Sequence, residues 1–207
     1  MRFDVATLDA EMCGRLLTAT VLPRPIAWVV TLAADGSRNA APFSFFNALC
    51  SWPPILGFGM QPRDDGSAKD TLANILATSE FVINLVSFEQ AGAMNVTGGH
   101  HPPAVDELTL AGLASIASDR VAPPRIAGAP VAYECRLREV IEIEGGRAIV
   151  LGDVVMLHIV DQAVTDAARG HIDGAVLDLV GRMHGRDRYL RARDPFRLDR
   201  SGHPANH

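Results

Sequence analysis

Cysteine is scarce in this chain. Its 207 residues include three, Cys13, Cys50 and Cys135. They are odd in number, far apart and form no CxxC pair, which argues against a disulfide framework and against a structural zinc site. They read as small buried hydrophobes of a reducing compartment. No apolar run approaches the ~18 residues of a membrane span. The opening stretch MRFDVATLDAEMCGRL has no unbroken apolar segment of signal-peptide length. A cytoplasmic protein without a membrane partner is expected. Basic charge is also in deficit, with Lys plus Arg at 19, Asp plus Glu at 24 and a net charge of −5. That balance argues against nucleic acid as the main partner, because such binding relies on basic surface.

Several familiar catalytic signatures are missing too. There is no GxxxxGK[ST] loop. GFGMQP begins like GxGxxG but lacks the third glycine and a following helix, which disfavours a dinucleotide fold of that type. No GxSxG nucleophile elbow occurs. His100 and His101 are adjacent in a Gly/Pro loop, with no HExxH or spaced Cys/His set beside them, so no metal site is expected. Internal repeats and low-complexity tracts are absent.

What is present is apolar material in strand-sized pieces. Hydrophobic residues make up 48%, enough to bury a core, and the length suits a single domain over 1–207. Leu8, Met12 and Leu16 recur at helical spacing and predict a short N-terminal helix. Ile26 to Leu32 reads as a strand, Asp35-Gly36 as a turn, and Asn39 to Phe46 as the returning strand. PPILGFGM is a third strand. Leu72, Ile75 and Leu76 mark one helix face, EFVINLVS is a buried strand, and FEQAGAMNV is a short helix. GGHHPP is a loop, and a helical segment runs from Asp106 through Leu113. RVAPPRIAGAP reads as an extended connector. Two long strands, VAYECRLREVIEI and RAIVLGDVVMLHIV, meet at Gly145-Gly146. In the first, Tyr133, Cys135 and Leu137 alternate with Glu134, Arg136 and Arg138, which predicts one wet face. The tail after Asp194 is polar and is expected to fray. Strands joined by hairpins, with helices as interruptions, predict a mainly β protein: an antiparallel barrel with helical insertions.

The stretch KDTLAN, Lys69 to Asn74, carries the chemical signal. Asp70 or Thr71 would serve as a helix N-cap. Lys69, however, opposes the helix dipole by a few tenths to ~1 kcal/mol. A bound anion, such as a phosphate, would relieve that conflict. Both roles remain open on these residues alone.

The blocks PRPIAWVVT, NAAPFSFFN, KDTLANI and SEFVIN, in that order, resemble the flavin reductase-like family, the FMN-binding split-barrel flavoproteins associated with oxygenases. VGRMHGRDRY resembles that family's C-terminal R-x-G-G-x-x-Y element, with His184 where a glycine is usual and a longer spacer. The resemblance runs from about Thr20 to Tyr189. It implies an antiparallel FMN-binding split β-barrel that works as a homodimer, with FMN or FAD near the subunit interface. Lys69 and Thr71 would meet the flavin phosphate, with Ser67 or Arg24 nearby, and Thr31 would sit by the ribityl chain. The strand Pro42, Phe43, Ser44, Phe45, Phe46, Asn47 would run along the isoalloxazine edge. Arg182, His184 and Tyr189 would line the nicotinamide or acceptor side. Phe43, Phe45, Phe46 and Trp52 would be covered by the second subunit.

The activity so implied is NADH- or NADPH-dependent reduction of flavin, delivered to a partner oxygenase. Two alternatives stand beside it: a flavoredoxin-like electron carrier with tightly bound FMN, and an FMN-binding module without catalysis.

Overall fold

A computed structural model describes residues 1–102, 105–185 and 187–196. The polar tail from residue 197, and Arg186 of the C-terminal element, lie outside the described residues. The strands are β1 (Ala27–Leu32), β2 (Arg38–Phe43), β3 (Phe46–Ser51), β4 (Pro54–Met60), β5 (Glu80–Asn84), β6 (Ser115–Ile116), β7 (Arg125–Ile126), β8 (Val131–Ile143), β9 (Arg147–Ile159), β10 (Val164–Asp166), β11 (His171–Ile172), β12 (Val180–Arg182) and β13 (Tyr189–Arg191). The helices are α1 (Ala10–Thr20), α2 (Asp70–Thr78), α3 (Ala91–Thr97), α4 (Glu107–Leu110) and α5 (Gly174–Leu177).

The main sheet has seven strands in the order β2-β1-β5-β8-β9-β4-β3. All its pairings are antiparallel. The sheet curls on itself, because β2 runs directly into β3 at its far edge. The predicted single strand Asn39 to Phe46 therefore breaks at Ser44-Phe45. There the Phe45 carbonyl turns to accept from Gly59 N–H of β4 at 2.7 Å. Phe43 and Phe58 meet inside, with ring centroids 5.2 Å apart. This is a split β-barrel.

Alternation along β1 explains its near-continuous apolar run. Ala27 and Val29 point into the barrel with Phe43, Phe58, Phe81 and Ile83. Ile26, Trp28 and Val30 point outward into a second core beneath α3 and α4, with Met94 and Leu108. Both faces are dry, so no polar alternation survives. Gly152 on β9 is required by the first core: a Cβ there would stand 2.4 Å from Phe81 Cζ.

Three sequence expectations change. Leu76 is exposed, and α2 instead turns Thr71, Asn74 and Ile75 inward. The connector around Arg125 forms a short ladder, β6 with β7. On β8, Arg136 is exposed but Glu134 is fully buried. Its carboxylate is satisfied by N–H donors of Asp119 (2.8 Å) and Arg120 (2.6 Å) and lies 2.6 Å from His158 Nε2. The chain from β6 to β7 folds over the Glu134 end of that face, while Arg136 and Arg138 keep the rest of it wet. Among the described residues, no helix is long and apolar enough to cross a membrane.

Candidate functional site

The start of α2 carries Lys69 without a side-chain cap: the residue occupies the N-cap position in extended backbone. This corrects the capping expectation: Asp70 is already the first helical residue. Its carboxylate turns aside to pair with Arg63 Nη2 at 2.5 Å. The Lys69 carbonyl accepts from the N–H groups of Leu72 (3.0 Å) and Ala73 (3.1 Å), which leaves those of Asp70 and Thr71 as the donors at the open end of the helix. Lys69 is half-buried, and among the described residues no carboxylate lies within ion-pair distance of it. Its ammonium stands 5.9 Å from the Phe43 ring centroid. Burial lowers the Lys69 pKa below the ordinary lysine value; nearby Arg63 adds to this, and Asp64 opposes it.

A polar latch aims this helix. Thr31 and Asn39 face each other across the β1–β2 ladder. Asn39 Nδ2 donates to Thr71 Oγ1 at 2.9 Å, and Asn74 Nδ2 donates to Thr31 Oγ1 at 3.0 Å. All four are buried. The helix is thereby pinned to the hairpin through reciprocal Asn–Thr bonds. Thr71 accepts in this arrangement, which leaves its own O–H as a donor. Thr31 is fully buried, and its hydroxyl serves helix docking. Thr31 lines neither of the two clefts described next.

Lys69 and Thr71 line a cleft of about 320 Å³, together with Asn39, Pro42, Gly98, His101 and Glu107. A second cleft of similar size is lined by Ser44, Asn95, Arg182 and Tyr189, and again by Pro42 and Gly98. The two share a waist at Pro42 and Gly98. That waist is tight: a Cβ on Gly98 would come within 3.1 Å of Pro42 Cγ. Pro42 and Gly98 thus form a wall common to two clefts, one lined by Lys69 and Arg63 with the carboxylates of Asp64, Asp70 and Glu107, the other by Arg182 and Tyr189.

The Arg/Tyr end sits on the β12–β13 hairpin. Arg182 and Tyr189 are register partners, and the guanidinium lies 4.7 Å from the Tyr189 ring centroid. Tyr189 O–H donates to Asn95 Oδ1 of α3 at 3.2 Å. The hairpin is held from behind by Asp178, which pairs with Arg191 at 2.5 Å and Arg193 at 2.9 Å. Those hydrogen bonds, led by Arg191, hold the Asp178 pKa down at about 2.

The other residues named from the resemblance distribute differently. Arg24 is 6% exposed, and its guanidinium donates to the carbonyls of Thr18 (2.8 Å) and Val21 (3.3 Å) and to Ser44 Oγ (3.3 Å). It therefore props the Ser44 end rather than joining Lys69. Burial, and then Arg182, lowers its pKa. Ser67 closes a turn on Asp65 at 2.6 Å and does not line the cleft. Phe43 is a barrel-core residue, 6% exposed, so a second subunit cannot cover it. Phe45, Phe46 and Asn47 border a separate apolar groove of about 500 Å³ beside β9. His184 is exposed and lines neither cleft.

Sequence reasoning missed Glu107, Asn95 and the Asp178 clamp. It also missed the trio Asp119, Glu134 and His158, whose ligand-type atoms lie within 4.8 Å of one another. The Glu134 oxygens in that trio are already filled by the hydrogen bonds given above.

The comparisons with known proteins agree with this geometry. Residues 19–178 match the family described as "Flavin reductase like domain". The chain belongs to the flavin reductase-like family. An uncharacterized protein of Deinococcus radiodurans is 42% identical over 202 residues, 96% of this chain and 88% of the relative. The crystal structure of 2-nitrobenzoate 2-nitroreductase from Pseudomonas fluorescens superposes with a TM-score of 0.87 at 30% identity, over 96% of this chain and 95% of that one. Nitrilotriacetate monooxygenase component B from Bacillus cereus gives 0.88 at 28% identity, over 96% and 98%. The residues of the two clefts fit a flavin of this family. An uncapped helix start and a lysine without a carboxylate partner among the described residues suit a phosphate.

Proposed function

We propose that this protein is an NAD(P)H-dependent flavin reductase that binds FMN along the Lys69–Tyr189 groove. One observation carries the reading: the uncapped start of α2, with Lys69 free of any carboxylate partner among the described residues, opens into a cleft that shares Pro42 and Gly98 with the Arg182–Tyr189 cleft. Lys69, the Thr71 hydroxyl and the α2 N–H groups hold the single phosphate. Pro42 and Gly98 wall the ligand on the side common to both clefts. Ser44, Arg182 and Tyr189 orient the hydride donor or electron acceptor from the other side. A bound flavin supplies the redox chemistry, accepting hydride from the dihydronicotinamide and passing electrons on. The chain itself positions the partners and excludes water, which explains how it works without an acid–base triad.

The protein acts as a homodimer in this reading. Phe45, Leu49 and Trp52 are 44%, 57% and 86% exposed around the edge strand β3. Apolar patches of this kind mark interfaces. A monooxygenase is the proposed consumer of the reduced flavin, supported by the component named in the Bacillus cereus structure. A second reading keeps FMN bound and reduces another acceptor, as the Pseudomonas fluorescens nitroreductase's name suggests. Absorbance of the purified protein, followed by NADH and NADPH oxidation with and without added free flavin, tests these. Turnover that requires added flavin supports the reductase. Turnover on bound flavin with another acceptor supports the second reading. A protein that takes up no flavin overturns both.

A further inference from the structure

Glu107 is a buried charged residue of the Lys69 cleft to which the reading above gives no task. It opens α4, is 7% exposed and lines the Lys69 cleft. Its Oε2 accepts from the Ala40 N–H of β2 at 3.0 Å. Burial, with Asp70 adding, raises its pKa; the Ala40 bond and His101 oppose. Its place follows from the order of residues along β2. Asn39 bonds to Thr71 of the phosphate helix, Ala40 holds Glu107, and Pro42 forms the waist. Glu107 therefore lines the cleft between the Lys69 end and the Pro42–Gly98 wall. Neighbouring polar groups are already engaged. Thr97 Oγ1 accepts from Trp28 Nε1 at 2.9 Å and donates to the Met94 carbonyl at 2.8 Å. Asn39 Nδ2 is held by Thr71. This stretch of wall offers a carboxylate acceptor, and a flavin presents there the hydroxyls of its ribityl chain.

We propose that Glu107 binds the ribityl chain, its carboxylate accepting a hydrogen bond from a ribityl hydroxyl while the Ala40 N–H holds it in place. The proposal rests on the flavin reading of the groove. It assigns a specificity role: Glu107 selects flavins that carry the polyol over the bare ring system.

The test titrates FMN, riboflavin and lumiflavin into wild type, Glu107→Gln and Glu107→Asp. Gln keeps a carbonyl for the Ala40 N–H and loses the charge; Asp keeps the charge but withdraws it from the cleft. A charged acceptor replaced by a neutral one weakens FMN and riboflavin about five- to tenfold. Lumiflavin, which has no ribityl chain, keeps its wild-type affinity. Melting of the ligand-free variants shows that both fold, and either variant suffices. Loss confined to FMN would put Glu107 at the phosphate and overturn the assignment. Equal loss for all three ligands would make its role structural, and no loss would remove it from the site; either result also overturns it. If wild type binds none of the three, the flavin reading itself fails. If wild type binds them and only the Glu107 pattern is missing, the failure belongs to this proposal alone.

Discussion

Lys69→Ala is the substitution on which the flavin reading turns. Lys69 has no carboxylate partner among the described residues, so its removal orphans no buried charge. It also opposes the dipole of α2 and is half-buried, so the folded protein should hold its stability or gain up to about 1 kcal/mol. The effect on FMN is opposite in sign. A charge-assisted hydrogen bond to phosphate contributes roughly 1.5–3 kcal/mol. At ~1.4 kcal/mol per decade, FMN affinity should fall roughly tenfold to a hundredfold. It should not vanish, because Thr71 and the α2 N–H groups remain. Riboflavin lacks the phosphate and should be unaffected. A pH arm sharpens the test. Burial lowers the pKa of Lys69, so its charge is present below that value and is lost as pH rises through it. In wild type, FMN affinity should therefore decline at an alkaline pH below the ordinary lysine range, with riboflavin flat. Fluorescence titration of both ligands reads each quantity. Equal losses for FMN and riboflavin, or no loss for either, would refute the placement of the phosphate at α2.

Other substitutions probe separate parts of the groove. Arg182→Ala should raise the KM for NAD(P)H while leaving FMN affinity nearly intact; unchanged steady-state kinetics would remove Arg182 from the nicotinamide side. Asp178→Asn keeps a residue that tolerates the left-handed backbone found there (φ 47) but dissolves the two-arginine clamp. The same KM should rise with FMN affinity unchanged. Because the Asp178 pKa is depressed, the clamp holds at all ordinary pH and is lost only as pH falls to about 2. Asn74→Ala strips the donor from the fully buried Thr31 hydroxyl and should cost about 1–3 kcal/mol, visible as a lower Tm. Leu49→Asp on the exposed edge strand should shift the protein from dimer to monomer in light scattering, and an unchanged mass would move the interface elsewhere.

The barrel was legible in the sequence because its strands carry their own periodicity and turns. β8 and β9 announce themselves by length, and their junction by Gly145 and Gly146, both at left-handed φ (75 and 73). The errors came where tertiary contacts override local pattern. Glu134 alternates with core residues and so reads as solvent-facing. It is buried because a distant segment supplies Asp119 and Arg120 N–H donors. Leu76 reads as a core residue of α2. The helix rotates instead to dock Asn74 and Thr71 on hydrogen-bond partners that the sequence does not reveal as partners. The break at Ser44-Phe45 follows from barrel closure against Gly59, a contact with no local signature.

The site divides along the same line. Lys69 was found because a cation at a helix start is a local conflict, and a conflict within one turn can be read from adjacent residues. Thr31 is placed at the ligand by resemblance, and in the structure its hydroxyl accepts from Asn74 of α2. That service is still functional at one remove, because the latch fixes the direction in which the α2 N–H groups point. Glu107 gave no signal, since an acid in the first turn of a helix satisfies the dipole and calls for no further explanation. Only the pairing of its carboxylate with Ala40, one residue from the latch and two from the waist, shows that it faces the groove. Residues in local conflict are therefore visible from sequence, whereas residues that are locally content and globally placed require the fold. The binding end of this groove is of the first kind and its lining of the second.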